Sequence, residues 1–93
     1  MATVDEIKLR VQSEIDLRGF EAVQVAKDIL KDPEAGFREH RTASKVAEKF
    51  RELGVFFEEG IAITGLKGII DTGRPGPTVA IMGELDSHIV PGH

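Results

Sequence analysis

Cysteine, tryptophan and tyrosine are all absent from this 93-residue chain, and the absences narrow what it can be. Without cysteine there is no disulfide framework and no thiolate metal site within these residues, which agrees with a cytoplasmic protein. Long apolar runs are missing too, and none approaches the roughly 20 residues of a membrane helix. The start, Met1-Ala2-Thr3-Val4-Asp5-Glu6, lacks the basic residues and apolar stretch of a signal peptide, so none is expected. Positive charge is sparse and scattered: 12 Lys and Arg stand against 16 Asp and Glu, a net charge of −4. No basic cluster interleaved with aromatics occurs, so neither nucleic acid nor a membrane is an expected partner. Internal repeats and low-complexity segments are absent as well.

What remains is a globular composition, 41% hydrophobic and 30% charged, sized for one small domain or part of a larger one. Thr3-Val4-Asp5-Glu6 reads as a capping box. Val4, Ile7, Val11 and Ile15 follow at helical spacing, and the period resumes at Ala22, Val23, Ala26, Ile29 and Leu30. Gly19 interrupts the pattern, which predicts one long helix with a kink or a close contact there. Pro33 ends it. Asp32-Pro33-Glu34-Ala35-Gly36 reads as a turn, and Phe37 is expected to anchor in the core. A second helix is predicted over residues 39–53, with Ala43, Val46, Ala47, Phe50 and Leu53 on one stripe and Gly54 as its left-handed cap. The mixed charges from Arg38 to Glu52 read as its solvated face, and His40 as a solvated residue at its start.

After Gly54 the period becomes that of strands. Residues 55–58 are a first strand and 66–71 a second, with Gly65 and Gly68 marking a bulge or a close backbone approach. Thr72-Gly73-Arg74-Pro75-Gly76-Pro77 is expected to link the second strand to a third as an antiparallel hairpin. The glycines of that loop lack the strand-to-helix setting and the Lys-Ser/Thr of a phosphate-binding loop.

The third strand lies in Pro77-Thr78-Val79-Ala80-Ile81-Met82-Gly83-Glu84-Leu85-Asp86. Val79 to Met82 shows no polar alternation, which suits a strand covered on both faces. Glu84 and Asp86 are two residues apart and share a side of an extended chain. Ligands in open α/β sheets bind beyond the carboxyl ends of strands, so these two acids are the candidate catalytic residues. The bland alternative for Asp86 is an ordinary turn or cap aspartate. His88 and His93 could join them as metal ligands, but a chain terminus seldom holds the fixed geometry this needs. The expected fold class is α/β: two N-terminal helices followed by the three-stranded start of a larger mixed sheet. Two helices on about three strands do not cover both faces of a sheet, which predicts that residues 1–93 are the N-terminal part of a larger catalytic domain.

Three segments, taken in order, resemble the start of a known family. These are Pro33-Glu34-Ala35-Gly36-Phe37-Arg38-Glu39-His40-Arg41-Thr42-Ala43, then Gly65-Leu66-Lys67-Gly68-Ile69, then Gly76 through Asp86. They are similar to the aminoacylase and amidohydrolase family of dinuclear zinc exopeptidases, metallopeptidase family M-twenty. Its members include hydrolases of aminobenzoyl-glutamate, N-acyl amino acids and auxin conjugates. The resemblance implies a zinc-exopeptidase-like catalytic domain, incomplete here, and a homodimer for the full-length parent. It implies hydrolysis of the amide of a small N-acyl amino acid or dipeptide-like substrate. A divalent metal, zinc or manganese, would activate the water and a Glu would act as general base. Many members end the third strand in His-x-Asp, with the His on the metal and the Asp orienting it. Asp86 matches that Asp, while Glu84 stands in place of the His. The resemblance therefore implies metal ligands beyond residue 93 and a fragment that is inactive alone. Two other readings stay open: a short, non-catalytic α/β binding module, and a pseudoenzyme fragment that pairs with a full-length relative.

Overall fold

A computed structural model describes residues 2–88, and the chain divides into two compact units, Met1–Lys31 and Asp32–His93. The first unit is a single helix, α1 (Val4–Lys31), 28 residues long and continuous through Gly19. Its start is fixed by Thr3. The Thr3 hydroxyl accepts from the Glu6 amide at 3.1 Å and its carbonyl from the Ile7 amide at 3.0 Å. Asp5 and Glu6 in the first turn and Lys31 in the last suit the helix dipole. A side chain at Gly19 would meet nothing within 4 Å, so the expected close contact is not found among the described residues. None of the residues of α1 is buried. Among the described residues no helix is long and apolar enough to cross a membrane.

The second unit holds α2 (His40–Leu53), β1 (Phe56–Ile61) and β2 (Gly65–Ile69). Helix α2 ends as its sequence dictates, on Gly54 with φ 69°, and the Gly54 amide returns to the Arg51 carbonyl at 3.1 Å. The Val55 amide closes on the Phe50 carbonyl at 2.9 Å and turns the chain into β1. β1 and β2 pair antiparallel, with Phe57 opposite Gly68 and Glu59 opposite Leu66. The register shifts between Glu59 and Ile61, around Gly60 with φ 76°. That is a bulge of the kind in which a left-handed glycine supplies the extra residue. The bulge lies in β1, while Gly65 and Gly68 are close-approach positions. A β-carbon at Gly65 would lie 2.6 Å from the Ile61 carbonyl oxygen, and one at Gly68 would lie 3.1 Å from the Phe50 ring.

Packing in this unit is α2 against the hairpin. Phe50 meets Phe57 with ring centroids 5.5 Å apart, and the Arg51 guanidinium lies 5.4 Å from the Phe57 ring centre. Ala47 is the buried apolar residue beneath them. Among the described residues, the other buried side chains of the unit are polar: Glu34, Glu39, Thr42 and Thr64.

Four expectations are corrected. The expected third strand does not form among the described residues: none of them after Ile69 lies in a strand, and Ile81 is 97% exposed. The two-stranded sheet joins β1 to β2, and the glycine- and proline-rich loop does not close a second hairpin. Side chains in that loop take its amides locally. The Gly73 amide donates to Asp71 Oδ1 at 2.8 Å and the Arg74 amide to Thr72 Oγ1 at 3.2 Å. Such bonds compete with a ladder, and Pro75 and Pro77 have no amide hydrogen to give to one. Phe37 does not anchor the core. It sits 66% exposed at φ 62°, at the third position of a turn closed by the Arg38 amide on the Ala35 carbonyl at 3.0 Å. Glu39 leaves the solvated face for a buried bond described below.

Candidate functional site

Among the described residues, the densest polar construction surrounds the start of α2. A helix leaves its first amides without partners, and residue 39, next to the helix, offers no side-chain cap. Glu34 supplies one from outside the helix. Its Oε1 accepts from the Thr42 amide at 2.6 Å and from Thr42 Oγ1 at 2.9 Å, while Oε2 accepts from the Arg41 amide at 3.2 Å. Thr42 is fully buried, so its hydroxyl has no water to fall back on. The Arg41 guanidinium pairs side-on with Asp32, each contact 2.7 Å, and lies 3.8 Å from Glu34. Glu39 points the other way. Its buried carboxylate accepts from Thr64 Oγ1 at 3.1 Å and ties α2 to the β1–β2 turn.

These contacts set the charge states. Burial pushes the Glu34 carboxyl up, but the bonds from Thr42 and Arg41 outweigh it and hold the group below its ordinary value. Asp32 is held below its ordinary value by its hydrogen bond to Arg41, which works against partial burial. Arg41 is raised in return by Asp32 and Glu34.

The two acids singled out in the sequence lie elsewhere in the same unit. Glu84 and Asp86 are exposed, with Leu85 and Ser87 half-buried between and after them. That alternation is the pattern of an extended chain, and it places Glu84, Asp86 and His88 on one side, as the spacing predicts. The Ser87 amide donates to the Glu34 backbone carbonyl at 2.8 Å. The structure thus ties the residue after Asp86 to the Glu34 turn. Among the described residues, no group of three or more His, Asp or Glu could hold a metal ion. The residues present therefore do not fit the implied metal as a ligand set, and His93 lies outside the described residues. His40 is exposed, as expected, at the rim of a cleft between α2 and the hairpin that also presents Arg51, Glu59 and Thr64.

The sequence places Glu34 in a turn and Glu39 on a solvated face; the helix cap made by Glu34 and the burial of Glu39 emerge only in the structure. The signal for the cap was Glu34 itself, placed just ahead of a helix start that lacks Ser, Thr, Asp or Asn at its own cap position.

Comparison with known proteins supports the resemblance. Thermostable carboxypeptidase 2 of Saccharolobus solfataricus is 36% identical over 66 residues, 70% of this chain and 17% of its own length. Hippurate hydrolase of Campylobacter jejuni is 33% identical over 73 residues, 78% of this chain and 19% of its own. IAA-amino acid hydrolase ILR1-like 2 of Arabidopsis thaliana is 32% identical over 65 residues, 70% of this chain and 15% of its own. The chain belongs to the aminoacylase and amidohydrolase family. It spans less than a fifth of the length of each of these three relatives. No family model matches it, and no solved structure does. The segment shared with each of these three relatives covers 70–78% of this chain.

Proposed function

We propose that this chain is the N-terminal scaffold of a hydrolase that cleaves the amide bond of a small N-acyl amino acid or dipeptide-like substrate. The observation that carries the reading is its similarity to proteins named as a carboxypeptidase, a hippurate hydrolase and an IAA-amino acid hydrolase. Those names share an amide that joins an acyl group to an amino acid. In this reading Asp86 shapes the edge of the site, and Glu84 lies beside it. The divalent metal, zinc or manganese, is held by groups of the parent beyond residue 93, and the isolated chain is inactive.

A chimera tests this directly. The matched 73 residues of the Campylobacter hippurate hydrolase are replaced by the corresponding residues of this chain. Hydrolysis of hippurate by the folded chimera is the expected result. A folded, metal-loaded chimera without turnover overturns the proposal. Turnover by the 93-residue chain alone, with zinc or manganese added, overturns the claim that it is only scaffold.

One observation favours a second reading, a non-catalytic binding module: Val79, Ile81 and Met82 stand 82%, 97% and 92% exposed. An exposed apolar stretch of this kind marks a surface that another segment covers. An active chimera decides for the hydrolase.

A further inference from the structure

Glu34 makes two kinds of bond with two parts of one residue. Its carboxylate receives the Arg41 and Thr42 amides and the Thr42 hydroxyl. Its backbone carbonyl receives the Ser87 amide at 2.8 Å. Ser87 follows Asp86 directly, and Glu84 lies three positions before it. Residues 77–88 belong to no strand, so the Ser87 bond is the backbone hydrogen bond that ties this acidic end to the rest of its unit, among the described residues.

A cap from within the helix would satisfy the same amides. It would leave the preceding turn free to move. A cap from Glu34 instead locks the turn to the helix, and the Arg41–Asp32 pair closes it on the other side. The Glu34 carbonyl then has a fixed place and direction, which it passes to Ser87. We infer that Glu34 is a positioning residue: through its carboxylate on α2 and its carbonyl on Ser87, it sets where Asp86 stands. The inference rests on the hydrolase reading only in giving Asp86 a place beside the reacting groups. The mechanical coupling between Thr42 and Ser87 is independent of it.

Amide hydrogen exchange, followed by NMR on the 93-residue chain, tests the coupling. In Glu34→Ala the Thr42 and Ser87 amides both exchange about tenfold faster. Faster exchange at Thr42 with Ser87 unchanged overturns the inference. Should Glu34→Ala lose its helical circular dichroism, Thr42→Val decides instead. That variant removes one donor and keeps the side-chain shape, and a smaller parallel rise at Ser87 is expected. An unmoved Ser87 amide overturns the coupling.

The positioning role is read in the hippurate hydrolase chimera. Ser87→Pro removes the amide donor and leaves Glu34 intact. It lowers kcat about tenfold with KM unchanged, and Thr42 exchange stays as it was. Glu34→Gln gives the same split between kcat and KM, and Glu34→Asp restores part of kcat. An active chimera in which both Ser87→Pro and Glu34→Gln leave kcat unchanged overturns the positioning role. If the parent chimera is inactive, the hydrolase reading fails by itself, and exchange at Ser87 still decides the coupling.

Discussion

The turn at residues 32–42 and the stretch at 77–82 invert what their compositions suggest. The first is rich in charge and yet holds the tightest contacts in the unit. Glu34 is 8% exposed and Thr42 fully buried, with four residues joined by hydrogen bonds between 2.6 and 3.2 Å. The second is the most apolar strand-like run in the chain, and its side chains face solvent. Hydrophobicity creates a tendency to be covered, but covering needs a surface to meet. A polar group needs a partner, and local chain geometry can supply one within a few residues. The contrast teaches that burial here follows the availability of partners rather than side-chain polarity.

The largest expected effect breaks the polar side of this contrast. Thr42→Val keeps the shape and removes a buried donor to a carboxylate, and it should cost about 1.5–3 kcal/mol in denaturant unfolding followed by circular dichroism. Acid should act on the same network. Asp32 and Glu34 both titrate below their ordinary values, so their folded-state contribution is present above the unfolded-state pKa. It is lost as pH falls through the lower folded values, in a window beginning near about pH 4. Unfolding midpoints measured from pH 6 downward should therefore fall, and fall less steeply in Glu34→Gln. An unchanged pH slope in that variant would show that the network is not what acid breaks.

A smaller effect of opposite sign is expected at Phe37. An exposed phenylalanine at φ 62° carries left-handed strain that asparagine tolerates, so Phe37→Asn should gain about 0.5–1 kcal/mol. The smallest effect sharpens the apolar side. Ile81→Ser alters a residue that is 97% exposed and should change stability by less than about 0.5 kcal/mol, despite removing a large apolar side chain. A loss of 2 kcal/mol or more, a figure typical of a buried isoleucine, would place Ile81 in a packed core.

Legibility followed sequence distance. The Thr3 cap, the end of α2 at Gly54 and the period of both helices depend on neighbours within about one turn, and they were readable. So was the one-sidedness of Glu84 and Asp86, which needs only an extended chain. The close approaches at Gly65 and Gly68 were signalled by the glycines themselves. The β1–β2 turn was not, because Ala62 at φ 48° and Ile63 at φ 81° stand where Asn-Gly would be expected. The bond from Glu34 to Thr42 crosses a turn, and that from Ser87 to Glu34 crosses most of the unit. Neither spacing leaves a periodic trace. The third strand is not found among the described residues, because an apolar run reports strand tendency, while a strand exists only where another lines up beside it.

By itself the sequence determined the helices, the caps at Thr3 and Gly54 and the family to which the chain belongs, since each of these is written in residue types at short, fixed intervals. Only the tertiary structure decided which charges are buried, that β1 rather than 77–82 partners β2, and that Ser87, next to Asp86, bonds to the Glu34 turn. Those outcomes depend on which distant donors and acceptors meet, and a hydrogen bond is set by the geometry of both partners together.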